Sequence, residues 1–212
     1  MSLHLARRLT QLFLGLALYG VSLALVLRGG LGLDPWDVLH QGIAERLDVS
    51  IGQVIIVVSF LVLLLWIPLR ERPGFGTLAN AVLVGVFVDL TLLLLADADG
   101  WPLRVTFLVV GVLLNGLATA LYIGATLGAG PRDGLMTGLV RRTGRSVRLV
   151  RTVIEVSVLS VGWLLGGTVG VGTVLYAVAI GPITHALLPI LTVPPRPPPE
   201  SGIDPAADGG IA

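Results

Sequence analysis

The sequence contains no cysteine and no lysine, and only 13% of its 212 residues are charged. Without cysteine, the chain has neither disulfides nor thiolate metal sites. A soluble domain of this size carries about twice that charged fraction. Aromatic residues make up only 6% of the chain, whereas 54% of it is hydrophobic, and the mean hydropathy is +0.92. This composition excludes an ordinary soluble domain and predicts a polytopic membrane protein.

Sequence signatures of enzymes are absent as well. The chain has no nucleophile elbow, no phosphate-binding loop and no cluster of metal ligands. Its three histidines, His4, His40 and His185, are too scattered to predict a metal site. The net charge is only +1, and the basic residues lie in segments between apolar runs. We therefore predict no enzyme activity, no cofactor, no metal and no nucleic-acid partner.

One polar segment organises the rest of the chain and occurs twice. Residues 32–42 read GLDPWDVLHQG, and residues 128–138, which begin 96 positions later, read GAGPRDGLMTG. The same offset joins further Gly, Arg, Ser and Thr residues, including Gly76 and Gly172. So consistent an offset predicts two copies of one unit.

The predicted units follow from this correspondence. The N-terminal segment covers residues 1–8, the first membrane repeat 9–96, the junction 97–102, the second membrane repeat 103–192, and a disordered proline-rich tail 193–212. The first apolar run follows Arg7 and Arg8 and resembles a signal peptide. Because it pairs with a run deep inside the chain, we interpret it as a spanning helix.

Each copy has three apolar runs of about the 20 residues that cross a bilayer. Between the first and second of these runs lies a shorter, more polar segment. In the first copy, Asp34 is suited to the N-cap and Pro35 to the first position of a helix that ends near Leu47. A helix of about a dozen residues is about 20 Å long, too short to span the membrane. We predict that both short helices are broken or re-entrant, or lie at the interface.

Three spans per copy is an odd number, so the two copies must have opposite orientations. With the N-terminus in the cytoplasm, 11 arginines lie inside and three outside, in agreement with the positive-inside rule. Parallel copies with fully crossing short helices would give ten against four, so charge alone leaves both arrangements open. The polarity and length of residues 34–50 favour inversion.

These observations predict an all-α membrane protein. It would have about six transmembrane helices and two short broken or re-entrant helices, built from two inverted three-span repeats. We expect a multi-pass protein with both termini cytoplasmic.

The motifs resemble those of a known bacterial family. Residues 32–42, WIPLR at 66–70, GATLG at 124–128 and GPRDGLMTG at 130–138 are similar to YczE-type membrane proteins, which are grouped with the YitT and YyaS proteins. The resemblance covers about residues 10–190. It implies a multi-span bacterial inner-membrane protein and implies no substrate.

Interrupted segments at matching places in inverted repeats indicate substrate sites in transporters. The candidate broken-helix residues are Gly32, Pro35, Gly128, Pro131, Gly76 and Gly172. The unpaired N–H groups that begin each short helix form a natural anion site, to which Arg132 would add charge. Asp37 and Asp133, at matching places, could instead bind a cation, a proton or each other's arginines. The alternative is that each aspartate only complements its own helix dipole.

Asp89 and its repeat partner His185 lie within predicted spans. Ionisable residues there are costly and indicate function by default. The pair could form a proton relay, or Asp89 could bond a neighbouring helix and only stabilise packing. The candidate substrate contacts are therefore Asp37, Arg132, Asp133, Asp89 and His185.

The leading hypothesis is a secondary-transporter-like or channel-like protein for a small solute bound near the repeat interface. The alternative is a membrane regulator or assembly factor that acts through the arginine-rich loop 141–151 without transport. The expected partners are membrane lipids and the solute, and a fold this small is compatible with a homodimer.

Overall fold

The computed structural model describes residues 3–194, which form eight α-helices and no strand. The helices are α1 (Leu3–Gly29), α2 (Pro35–Leu47), α3 (Ile51–Leu69), α4 (Phe75–Leu94), α5 (Trp101–Gly124), α6 (Pro131–Thr143), α7 (Val147–Leu164) and α8 (Val171–Leu191). Most of the predicted tail lies outside the described residues. Val193 is buried, however, and its N–H donates to the carbonyl of Gly124 at 2.9 Å.

Five of these helices, α1, α3, α4, α5 and α8, are long and apolar enough to cross a membrane. The protein is therefore an all-helical membrane protein. The remaining long helix, α7, has 18 residues and carries Arg148, Arg151 and Glu155, whereas each of the other five contains an 18-residue stretch with at most two charged residues. The sixth span expected from the sequence, at α7, thus stays a prediction.

Helix starts in the two halves match at the offset seen in the sequence. α6, α7 and α8 each begin 96 residues after α2, α3 and α4. The caps match too, because Ser50 Oγ accepts the N–H of Gln53 at 3.2 Å and Ser146 Oγ accepts that of Leu149 at 3.3 Å. A serine at the N-cap satisfies one of the helix's unpaired donors. The repeated serines therefore set the same helix boundary twice.

α1 and α5 form the centre of the bundle and run antiparallel. At the start of α1, Arg8 Nε donates to the carbonyl of Ala125, just beyond the end of α5, at 2.8 Å. At the end of α1, Arg28 pairs with Asp97, just before the start of α5, at 2.8 Å. We call these two ends of the bundle the Arg8 end and the Arg28 end.

Each break after α1 and α5 holds the start of a helix from the other half. The N–H of Gly76 in α4 donates to the carbonyl of Leu127, and the N–H of Gly172 in α8 donates to that of Leu31, both at 2.8 Å. Gly32 and Gly128, which follow these carbonyls, have φ of +113° and +134°, where a side chain would be strained. The candidate broken-helix glycines thus join the halves reciprocally.

The short helices also pack across the two halves, α2 against α7 and α6 against α3. In α6, Gly134 lies directly under the ring of Trp66, whose Nε1 donates to the carbonyl of Pro131 at 3.0 Å. In the matched contact, Gly162 of α7 lies against the backbone of Val38 and Leu39 in α2. The glycine that allows the close approach therefore belongs to the short helix α6 in one contact and to α7 in the other.

The fourth helix of each half is placed differently. α3 and α4 pack closely, with Gly52 and Gly85 backbone to backbone, whereas α7 and α8 barely touch. Gly181, which matches Gly85, has no atom within 4 Å of the place where a Cβ would lie. The bundle is therefore tight between α3 and α4 and open between α7 and α8.

Candidate functional site

A cavity of about 380 Å³ lies where the two short helices meet. Asp34 and Trp36 line it from the start of α2, and Arg132 and Asp133 line it from the start of α6. Its volume is within the range of about 300–1,000 Å³ usual for small-molecule sites. The starts of the two short helices therefore converge and border a cavity large enough for a small molecule.

Arg132 joins the two short helices at the edge of this cavity. Its Nη2 lies 3.3 Å from Asp37 Oδ1, and its Nη1 lies 3.7 Å from Asp34 Oδ2. Both aspartates are almost fully buried, at 4% and 2% exposure for Asp34 and Asp37. Two carboxylates from one half therefore neutralise a guanidinium from the other half, in a place where unpaired charge would be costly.

Asp34 has a second role as the N-cap of α2. Its Oδ1 accepts the N–H groups of Trp36 and Asp37, at 2.8 Å and 2.9 Å. The α6 start has Gly130 at the matching place, and no side chain caps it. The anion site expected at the start of α2 is therefore already filled by the chain's own carboxylate.

His40 and Trp36 complete the cluster. His40 Nδ1 lies 3.0 Å from Asp37 Oδ1, while its buried Nε2 has no hydrogen-bond partner within residues 3–194. The guanidinium of Arg132 lies over the ring of Trp36, 5.1 Å from its centroid. A cation over an indole face is stabilised by the ring quadrupole. The charge of Arg132 is therefore stabilised both by the two aspartates and by Trp36.

Asp133 has a different environment from Asp37, its partner in the repeat. Tyr122 donates its hydroxyl hydrogen to Asp133 Oδ2 at 2.5 Å. Within residues 3–194, Asp133 forms no ion pair, and its Oδ1 has no hydrogen-bond partner. Asp133 is thus the carboxylate at the short-helix starts that no cation of the described chain neutralises.

A tyrosine and an asparagine in each half lie in or beside the cavity, and each tyrosine of one half matches the asparagine of the other in the repeat. In the second half, Tyr176 donates to Asn115 Oδ1 at 2.7 Å, and Asn115 Nδ2 donates to Ser22 at 2.8 Å. The matching residues of the first half, Asn80 and Tyr19, both line the cavity. Their side chains form no hydrogen bond with the part of the chain that the structure describes, and are available to a ligand.

The cavity extends between α7 and α8 towards the Arg8 end. Glu155 and Arg151 line it there and, four residues apart on one helix, form an ion pair at 2.7 Å. His185 and Thr184 line the opposite wall. Thr184 Oγ1 is buried and has no hydrogen-bond partner among residues 3–194.

Asp89 does not line the cavity. Its Oδ2 accepts the hydroxyl hydrogen of Ser50 at 2.6 Å, and its Oδ1 accepts the N–H of Gly52 at 2.9 Å. It therefore joins α4 to the start of α3 and closes the bundle at the Arg28 end. Although His185 occupies the matching place in the sequence, the structure sets these two residues in different surroundings, one at a closed contact and one at the cavity wall.

Of the other candidate contacts, Arg132, Asp133 and His185 line the cavity, and Asp37 contacts it through Arg132. The sequence did not indicate His40 or Trp36 as part of the site, although His40 lies three residues after Asp37 on one helix face. No group of three or more acidic or histidine side chains within residues 3–194 could hold a metal ion.

Comparison with known proteins identifies the family. Residues 6–189 match the model of a family of unknown function, DUF6198. The chain belongs to this family. It is 41% identical over 194 residues to an "Uncharacterized protein" of Haemophilus influenzae, a match that covers 92% of this chain and 89% of the relative.

Two Bacillus subtilis proteins are also similar. The chain is 34% identical over 191 residues to "Uncharacterized membrane protein YczE", with 89% of each chain covered. It is 25% identical over 182 residues to "Uncharacterized protein YyaS", covering 84% of this chain and 90% of the relative. These matches confirm the resemblance to YczE-type proteins. No solved structure matches the chain.

Proposed function

We propose that the protein is a secondary transporter of the bacterial inner membrane, built from two inverted three-span repeats, that carries a small solute through the cavity between its short helices. One observation carries the proposal. The cavity reaches towards the Arg8 end between α7 and α8, while the matched helices α3 and α4 are closed at the Arg28 end. A transporter that alternates between two such states exposes its site to one side at a time.

The contacts between the halves support inversion. α5 is the counterpart of α1 and runs antiparallel to it. The bond from Gly76 to Leu127 and the bond from Gly172 to Leu31 are equivalent, and a two-fold rotation would convert one into the other. The loops that precede α2 and α6 accordingly lie at opposite ends of the bundle. A pseudo-two-fold axis in the membrane plane would produce this arrangement, which supports inverted repeats over parallel ones.

The charges of α7 agree with a sixth span. Arg151 and Glu155 pair with each other at the cavity wall. Ionisable residues inside spans face the protein interior or a water-filled cavity rather than lipid. α7 is therefore expected to cross the membrane with this face turned towards the site.

The open end is expected to be cytoplasmic. Arg8, Arg141 and Arg142 lie at the Arg8 end, where Arg141 pairs with Glu71 at 2.8 Å and Arg142 donates to the carbonyl of Pro68 at 2.8 Å. Arginines concentrate on the cytoplasmic side of short loops. The structure then corresponds to an inward-facing state, and the termini lie inside.

A permanent channel is less consistent with this geometry. A channel needs a path open at both ends, whereas Asp89 and the Gly52–Gly85 contact close the Arg28 end. In the outward-facing state α4 would move away from α3, and α8 would approach α7. The Asp89 bonds are the contacts that this movement breaks.

Two matched alanines provide the test. Ala177 is exposed and lines the cavity, whereas its repeat partner Ala81 is fully buried. Because the native chain has no cysteine, Ala177→Cys and Ala81→Cys can each be probed with a membrane-impermeant thiol reagent in right-side-out and inside-out vesicles. Val178→Cys is the control, since Val178 is 69% exposed but does not line the cavity, and is expected to face lipid.

Alternating access predicts that Ala177→Cys reacts from the cytoplasmic side and Ala81→Cys from the outer side, while Val178→Cys reacts from neither. If Ala177→Cys reacted but Ala81→Cys never did from the outer side, the cavity would open to one side only. The transporter proposal would then be wrong, and a regulator acting through residues 141–151 would become the better explanation.

A further inference from the structure

We propose that the cavity binds a small organic cation, with the carboxylate of Asp133 as its counter-charge. This inference rests on the proposed function, since it assigns a substrate class to the same cavity. It starts from the balance of charge at the meeting point of the short helices. Three carboxylates, those of Asp34, Asp37 and Asp133, lie there with one guanidinium, that of Arg132.

The helix dipoles do not cancel this excess of negative charge. Each helix start contributes about half a positive charge. With both helix starts and Arg132 included, about one negative charge remains. The other charged pair on the wall, Arg151 with Glu155, is neutral as a unit. A bound cation would balance the site, whereas an anion would add to the excess.

Of the three carboxylates, Asp133 is the one that has no cationic partner in the described chain. Asp34 and Asp37 share Arg132, and Asp34 also caps α2. Asp133 receives only the hydroxyl of Tyr122, which leaves its charge in place and its Oδ1 free of partners in the described chain. A ligand ammonium or guanidinium group would find its strongest acceptor here.

The surrounding side chains favour an organic cation over a bare metal ion. Tyr19, Tyr122 and Tyr176 line the same cavity as Asp133, and the rings of Tyr19 and Tyr122 lie edge to face, with centroids 6.1 Å apart. Aromatic faces attract alkylated ammonium groups, which shed water readily. Arg132 over Trp36 shows the same contact made within the chain. Asn80 adds an amide without a partner in the described chain, which suits a hydroxyl or N–H elsewhere on the ligand.

The experiment measures binding to the full-length protein in detergent by the rise in unfolding temperature with ligand concentration. The probes are methylammonium, guanidinium and choline. Dimethylbutanol, the uncharged carbon analogue of choline, and acetate are the comparison ligands. The variants are Asp133→Asn and Asp48→Asn, the latter an exposed residue at the left-handed C-cap of α2, where asparagine is tolerated.

We expect at least one of the three cations to raise the unfolding temperature saturably, with no saturable effect of dimethylbutanol or acetate. Asp133→Asn should weaken the binding of that cation by about tenfold or more, which is about 1.4 kcal/mol or more. Asp48→Asn should leave the affinity unchanged. If Asp133→Asn does not fold, Asp133→Glu serves instead, since it keeps the charge but shifts its place and should change the order of affinity among the cations.

Three results would overturn the inference: no saturable effect of any of the three cations, equal cation affinity in wild type and Asp133→Asn, or saturable binding of acetate. The accessibility test with Ala81→Cys and Ala177→Cys needs no ligand, so the two proposals fail separately. Alternating labelling without cation binding would leave a transporter of another substrate class. Cation binding with one-sided labelling would leave a binding protein that does not transport.

Discussion

The two halves of the chain share their helix starts and serine caps, but they differ in how the fourth helix meets the third. In the first half, Gly52 and Gly85 bring α3 and α4 into backbone contact, and Asp89 bonds the start of α3. In the second half, Arg148 stands at the place of Gly52 and His185 at that of Asp89, and the helices lie apart. One backbone plan therefore forms a closed contact at one end and a cavity at the other.

The comparison shows which structural features the two halves share and which features differ between them. The breaks, caps and cross-half bonds occur in both halves because the fold needs them in both. The residues that close or open the bundle differ between the halves. Function is therefore expected where the halves differ, at the short-helix starts and at the α3–α4 and α7–α8 contacts.

The largest effect is expected at Trp66, a large residue whose place in the second half is taken by Gly162. Trp66→Ala removes a nearly fully buried ring over Gly134 and its bond to Pro131, and should lower the free energy of unfolding by about 3–5 kcal/mol. Trp163→Ala, at a ring 66% exposed, is the control and should cost much less in detergent. Thermal unfolding of both variants decides this, and equal losses would contradict the packing described.

A second substitution sharpens this comparison. Gly134 lies under the ring of Trp66, so Gly134→Val added to Trp66→Ala should recover part of the lost stability by filling some of the space that the ring leaves. A double variant less stable than Trp66→Ala alone would show that this space does not accept a β-branched side chain on α6.

The next effect is expected at the join between the short helices. Arg132→Gln leaves Asp34 and Asp37 buried without a counter-charge, and should cost about 2–4 kcal/mol, since removing one member of a buried pair is costly. Adding Asp37→Asn should restore part of the stability, which a double-mutant cycle of unfolding free energies would detect. Strictly additive losses would mean that these charges do not interact.

The closed pair, α3 and α4, and the open pair, α7 and α8, can be compared by adding one methyl group to a glycine of each pair. Gly85→Ala places a Cβ against the carbonyl of Gly52 and should lower the free energy of unfolding by about 1–3 kcal/mol. Gly181→Ala, at the matched place in α8, meets no atom within 4 Å and should be neutral or slightly stabilising. Chemical or thermal unfolding of the pair provides the measurement. Equal effects would contradict the difference between the two contacts.

The smallest effect is expected at Asp89. Asp89→Asn keeps one acceptor but replaces the other with a donor, so one of the two bonds to Ser50 and Gly52 is lost, at a cost of about 1–2 kcal/mol. His185→Gln, which alters the matched residue at the cavity wall, should change the unfolding temperature less. The proposed alternation adds a second readout, because Asp89→Asn should increase outer-side labelling of Ala81→Cys. Unchanged labelling would argue against Asp89 as the closing contact.

Much of the architecture was predictable from the sequence because the duplicated glycines, prolines and caps encode local backbone geometry. Pro35 and Pro131 are the first residues of α2 and α6, as the cap pattern indicated. The pairing of Asp37 with Arg132 was among the alternatives, because two copies in opposite orientations would bring their matched helix starts together.

The closed and open contacts could not be predicted in the same way. The offset treats Asp89 and His185 as equivalent, yet the distance between a third and a fourth helix depends on packing of the whole bundle. The bond from Tyr122 to Asp133 likewise has no counterpart in the first half, since Val26 stands at the place that matches Tyr122 and cannot donate to Asp37. The sequence predicts α7 as a span like the others. Its charged face would be compatible with the membrane only beside a cavity, and the sequence did not indicate that cavity.

The most direct test of the account is the sidedness of two matched, exposed residues, Val49 after α2 and Arg145 after α6. Val49→Cys and Arg145→Cys would be treated with a membrane-impermeant maleimide in intact cells, and again after permeabilisation. Inverted halves predict that Val49→Cys reacts in intact cells and that Arg145→Cys reacts only after permeabilisation. Reaction of both residues from the same side would make the halves parallel. It would contradict the proposal that the cavity between the short helices opens to each side of the membrane in turn.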